Sequence, residues 1–153
     1  MSIETAVVIN NEKRAIYWHL PEGRSAAYLP DSRNLWDVIW ENREDLSGIA
    51  HSHPGGGTPG PSYEDVTTFA AVESALGKRL DWWIMSRDQI VLIQWAGPDK
   101  YDYRMRWRVY VADQVDTIEN EWVDRLHKLS YCAEPDKTTE EEQQEGDSHG
   151  QQA

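Results

Sequence analysis

Ser47-Gly48-Ile49-Ala50-His51-Ser52-His53-Pro54-Gly55-Gly56-Gly57-Thr58-Pro59-Gly60-Pro61-Ser62-Tyr63-Glu64-Asp65 is the most informative stretch of the 153-residue chain. Ser47 to Ala50 reads as a strand running straight into His51. A loop with four Gly and three Pro follows, from Pro54 to Pro61. Ser62 then starts a helix to about Lys78, with Val66, Phe69, Val72 and Leu76 turned to the core. Histidines at i and i+2 on a strand point to the same side of the pleat, so both imidazoles can reach one point. Asp65, in the first helical turn, can bring a carboxylate to that point; Glu64 beside it should point away. Two neutral imidazoles and one carboxylate suit Zn²⁺ and leave a fourth position open, the pattern of a catalytic rather than a closed structural site. Zinc brings the pKa of a water to about 7, which makes hydroxide available at neutral pH. Ser62-x-x-Asp65 before an apolar helix is also a capping-box signature. The two roles are compatible if Ser62 caps the helix while Asp65 turns toward a metal.

Outward from this stretch the elements are legible. Thr5 to Ile9 is a β-branched run, read as a buried strand, with a turn at Asn10-Asn11. Ala15 to Trp18 gives a second strand, ending before Pro21, and Ser25 to Leu29 a third, short one. Ser32 is placed to cap a helix over about Asn34 to Asp45, with Leu35, Val38 and Ile39 on one face. Asp81 to Met85 and Gln89 to Trp95 read as two strands around a turn at Ser86-Arg87-Asp88. Trp82 and Trp83, consecutive in a strand, must face opposite sides. Tyr101 to Val111 alternates strictly, with Tyr101, Tyr103, Met105, Trp107, Val109 and Val111 on one face and Arg104, Arg106 and Arg108 on the other. An amphipathic helix is expected from about Asp113 to Tyr131, with Val115, Ile118, Trp122, Leu126 and Leu129 as one stripe. Strands and helices mixed on one sheet give an α/β fold.

Composition bounds the function. The length fits one compact domain. With 39% apolar and 27% charged residues the chain can bury a core, and eight Trp and seven Tyr against one Phe put aromatic bulk into the packing. The one cysteine, Cys132, excludes an internal disulfide framework and a Cys-based zinc ribbon, and makes the cytoplasm the default compartment. A net charge of −12 argues against direct binding to nucleic acid. No stretch is apolar for long enough to span a membrane, and Met1-Ser2-Ile3-Glu4 does not begin a secretion signal. Residues 133–153 hold seven acids, one Lys and no large apolar residue. Such a segment is expected to be a disordered acidic tail on a domain of residues 1–132. It leaves the domain only half of the chain's net charge. Missing motifs exclude other zinc enzymes. There is no Pro-Cys-x-x-Cys for a deaminase and no His-Glu-x-x-His for a thermolysin-type protease. No phosphate loop is present either, because the glycines follow the histidines and no Lys-Ser/Thr follows them.

His51-x-His53-Pro54 followed by Ser62-x-x-Asp65 resembles the signature of the JAMM (JAB1/MPN/Mov34) metalloproteases. The order of elements from about Ser2 to Trp95 is also similar to theirs. Eight residues, Pro54 to Pro61, separate the second His from the Ser, where the usual pattern has seven. The extra residue falls in the Gly- and Pro-rich loop, where an insertion is easily absorbed. The resemblance implies a JAB/MPN-like mixed sheet flanked by helices, with His51, His53 and Asp65 holding Zn²⁺. It also implies a glutamate at the first strand as proton carrier. Here that is Glu4, leading into Ala6 to Ile9, although the Gly that usually follows is absent; Glu12 and Glu22 are the reserves. Ser62 would help stabilise the oxyanion. The implied reaction is hydrolysis of an isopeptide or peptide bond, typically at the C-terminus of a ubiquitin-like modifier. The partner is then a protein substrate, such a modifier or its conjugate, and the setting a stand-alone prokaryotic or phage member, for example in a bacterial defence operon. Three alternatives share the motif: a catalytically silent scaffold, a RadC-like protein and a phage tail-assembly peptidase. His19, His127 and His149 have no partner at ligand spacing and receive no role.

Overall fold

Val7-Val8-Ile9 is apolar on both sides of the pleat, and a strand of that kind needs cover on both faces. The computed structural model, which describes residues 2–109 and 117–132, provides it. Strand β1 (Ala6–Asn10) lies inside a six-stranded sheet with β2 (Ala15–His19), β3 (Leu46–Ser52), β4 (Asp81–Met85), β5 (Gln89–Trp95) and β6 (Tyr103–Val109). The strand order is β2-β1-β3-β4-β5-β6. Among the described strands only β3 and β4 pair in parallel; the other neighbours are antiparallel. A parallel pair needs a long crossover, and helix α2 (Tyr63–Leu76) makes it. Gly48 lets these two strands meet, since a Cβ there would stand 2.0 Å from the Asp81 carbonyl oxygen.

Alternate residues of the central strands feed two cores. On one face Val8, Ile49, Trp82 and Ile84 pack with Leu35 and Ile39 of α1 (Arg33–Glu41) and with Phe69 and Val72 of α2. On the other, Val7, Ile9, Ala50, Trp83 and Met85 pack with Trp122, Val123 and Leu126 of α3 (Thr117–His127). Trp82 and Trp83 therefore do face opposite layers. Trp82 stacks on Phe69 at 4.3 Å between centroids, and Trp83 meets Trp122 edge-on at 5.5 Å. The α/β reading holds, as one mixed sheet between helices.

Several boundaries need correction. Ser25 to Leu29 is a loop, not a strand. Pro21, Pro30 and Gly23 at φ 86° break the extended run, and its backbone bonds close on itself, as from the Ser25 N–H to the Tyr28 carbonyl at 2.8 Å. Helix α1 stops at Glu41 because Asn42 caps it, bonding the Val38 carbonyl through both its backbone and its side chain. Helix α2 stops at Leu76, where Gly77 takes φ 68°. In β6, Met105 is exposed while Tyr103 packs edge-on to Phe69. After α3 the chain widens into a π-helical turn, Lys128–Cys132, instead of continuing as α-helix. Residues 110–116, with the expected ends of β6 and the start of the last helix, and the tail 133–153 lie outside the described residues.

Glu73 was not among the expected core residues, yet it is 2% exposed. It lies on the apolar stripe of α2, four residues after Phe69. Its carboxylate accepts from the Leu80 N–H (2.9 Å), Trp82 Nε1 (2.9 Å), Arg79 Nη1 (3.0 Å) and Tyr103 Oη (2.7 Å). Burial and the adjoining Glu73 charge hold the Tyr103 phenol well above its usual pKa. Glu73→Ala orphans buried donors and is expected to cost on the order of 3 kcal/mol. Thermal unfolding should show a drop of roughly 10 °C; an unchanged melting point would contradict this account of the cluster.

Candidate metal centre

His51 lies near the carboxyl end of β3, paired with Ala6 across β1 and Ile84 across β4. Sites in α/β sheets form beyond the carboxyl ends of parallel strands, and β3–β4 is the parallel pair here. His53 follows just past the strand, held by its N–H on the Met85 carbonyl at 2.8 Å. The loop after it is pinned to the β4–β5 turn. Arg87 N–H donates to Gly55 O at 2.8 Å, Gly57 N–H to Asp88 Oδ1 at 2.6 Å, and Ser86 Oγ to Gly57 O at 2.5 Å. Gly55 and Gly57 take φ of 84° and 85°, which favours glycine at both positions.

Ser62 and Asp65 form a reciprocal cap at the start of α2. The Asp65 N–H donates to Ser62 Oγ at 3.0 Å and the Ser62 N–H to Asp65 Oδ2 at 2.9 Å. The cap does not exhaust Asp65. Its Oδ1 stands 3.4 Å from His51 Nε2 and its Oδ2 3.2 Å from His53 Nε2. The two Nε2 atoms are 3.0 Å apart. Ligands about 2.05 Å from a tetrahedral zinc would be spaced roughly 3.3 Å from one another. Two imidazole nitrogens facing each other beside a carboxylate also call for positive charge between them. On spacing and chemistry the donor set fits a divalent cation. Burial pushes the Asp65 carboxyl up. Hydrogen bonds to His51 and His53, the His51 charge and the Ser62 amide outweigh it and hold the group far below the usual carboxylate range.

Glu4 sits just before β1, where no ladder bond reaches it. Its N–H donates instead to the Ser25 carbonyl at 2.8 Å, and Arg24 Nη1 donates to its carbonyl at 3.2 Å. Its carboxyl is half-buried; burial raises its pKa, His51 and His53 lower it, and Asp65 raises it again. Glu4, His51, His53, Ser62 and Asp65 line one cavity of about 630 Å³, which runs between the 27–31 loop and α2. Glu12 and Glu22, the reserves, are exposed and do not line it. Glu64 lines its rim. Ser62 Oγ accepts the Asp65 N–H, which leaves its own proton to donate.

Two residues shape the site without a sequence signal. Arg24 is buried and bridges the Glu4 carbonyl and Thr5 Oγ1. An Arg in a Pro- and Gly-broken loop carries nothing that marks it beforehand. His19, also buried, bonds through Nε2 to the Pro30 carbonyl at 2.6 Å and anchors the loop that walls the cavity. Cys132 is exposed, with Sγ 3.9 Å from His127 Nδ1. Among the described residues no helix is long and apolar enough to cross a membrane.

Residues 3–110, well over half of the chain, match the family model described as prokaryotic homologs of the JAB domain. No curated protein matches the chain significantly.

Proposed function

The chain belongs to the family of prokaryotic homologues of the JAB domain, and from that premise we propose that it is a zinc-dependent hydrolase of peptide or isopeptide bonds. The JAB family includes metalloproteases, and this member keeps a His-His-Asp group able to hold a metal. The observation that carries the reading is the convergence of His51, His53 and Asp65, with Glu4 in the same cavity.

In this reading His51, His53 and Asp65 would hold a zinc ion, which when bound would supply Lewis acidity and a water that ionises near neutral pH. Glu4 takes the proton at its carboxylate and later gives it to the leaving amine. A carboxyl raised by burial suits a group that must do both. Ser62, its Oγ fixed by the cap, aims its O–H at the oxygen on which charge develops. The same cavity is lined by Leu35, Ile39, Phe69 and Val72, apolar cover suited to an extended polypeptide tail. The proposed substrate, which the family resemblance implies, is the C-terminus of a ubiquitin-like modifier, free as a precursor or joined to a lysine.

The test uses such a modifier fused through its C-terminal Gly to a reporter amine. Cleavage is expected after that Gly, is expected to stop when the metal is chelated, and should return with added zinc. Cleavage indifferent to chelation would overturn the metal role. A fully zinc-loaded protein that cleaves neither peptide nor isopeptide fusions would overturn the hydrolase reading in favour of a silent scaffold.

A further inference from the structure

Glu4 precedes β1 and the histidines stand at the end of β3, and the ladder between those two strands begins only at Ala6. The Ser52 N–H already meets the Thr5 carbonyl at 3.0 Å, and a second set of contacts comes from the far end of the chain. The Ile3 N–H donates to the Ser130 carbonyl at 2.8 Å. Ser130 Oγ donates to Ser52 Oγ at 2.8 Å, and Ser52 Oγ also accepts the Thr5 N–H at 3.0 Å. The Tyr131 hydroxyl faces the His53 carbonyl at 2.6 Å and the Met85 carbonyl at 2.9 Å. The Ser130 side chain thus meets Ser52, the residue between the two histidines, and the Tyr131 side chain meets the backbone of His53; Ile3, beside Glu4, is held by the Ser130 backbone carbonyl, and Thr5 is reached through Ser52. Thr5, Ser52, Ser130 and Tyr131 are all buried, at 0%, 1%, 1% and 5% exposure, and hydrogen bonds shielded from water hold geometry more firmly.

The backbone that delivers these groups is unusual. Leu129, Ser130 and Tyr131 are buried in succession within the π-helical turn. The wider turn lets consecutive residues diverge less than in an α-helix, so neighbours can reach the same sheet. Such turns are rare and concentrate at functional sites. The turn lies beyond residue 110, outside the stretch that matches the family model, so this chain supplies it from its own C-terminal part.

We propose that Ser130 and Tyr131 are positioning residues for the metal centre, a brace that fixes the Glu4 segment against the His51–His53 strand end. The inference rests on the proposed zinc reading. Removing partners that orient ligands from outside typically costs 10–100-fold in metal affinity or activity. Tyr131→Phe keeps the ring and its packing, and is expected to speed zinc release to a chelator by about 10-fold. It should also alter the visible absorption of the Co²⁺-substituted protein, a readout that a loss of packing alone would not move. Ser130→Ala, which removes one buried oxygen, is the second variant should the first fail to fold, and the same changes are expected of it. Lys128→Ala, on the solvent side of the turn where Lys128 pairs with Asp124 at 3.2 Å, should match the unaltered chain in both readouts. Unaltered zinc release and an unaltered Co²⁺ spectrum in folded Tyr131→Phe and Ser130→Ala would overturn the brace alone. An unaltered chain that binds neither Zn²⁺ nor Co²⁺ would overturn the metal reading beneath it.

Discussion

His53→Ala is expected to empty the centre, with zinc falling from about one ion per chain to near none and cleavage lost with it. Loss of an outer partner already weakens metal sites by 10–100-fold, so loss of one of three protein ligands should exceed about 100-fold. The fold should survive the change. His53 is held by its backbone, through its N–H on Met85 and its carbonyl on Tyr131, and its ring is 25% exposed. Elemental analysis after dialysis, beside a thermal melt, separates the two effects. Equal zinc in the variant and the unaltered chain would count against His53 as a ligand.

Glu4→Gln should behave differently. The amide keeps the shape of the side chain, and the bonds that hold residue 4 come from its backbone, so fold and metal content should not change. The amide cannot accept the proton, and a positioned acid–base group contributes about 10²–10⁴-fold. A fall in kcat of that size at full zinc occupancy is the expected outcome, measured on the modifier fusion. Full activity would pass the role to another carboxylate lining the cavity, Asp31 or Glu64.

The parts of this molecule that the sequence reveals are those whose physics is local. The His-x-His pair follows from the two-residue period of a strand, and its nitrogens do meet at 3.0 Å. Ser62-x-x-Asp65 follows from the needs of a helix start, and the reciprocal cap is present. The apolar runs of β1, β4 and β5 announce a sheet covered on both sides. The features not legible depend on contacts far apart in the chain. Glu73 looks like a solvated acid until β4 and β6 bring Trp82 and Tyr103 to it. Arg24 and Ser25 acquire meaning only through Glu4, some twenty residues before them. Ser130 and Tyr131 bond to residues 78 positions away, a relation that no local pattern encodes. Residues 25–29 read locally as a short strand, whereas prolines on both sides and Gly23 remove the chance to pair.

The most direct measurement is X-ray absorption at the zinc edge on the loaded, full-length chain. Two imidazole nitrogens and carboxylate or water oxygens at about 2.0–2.2 Å are predicted, with the imidazole signal reduced by one in His51→Ala. A zinc shell without histidine scattering, or one left unaltered by that substitution, would contradict the claim that these three side chains share one ion.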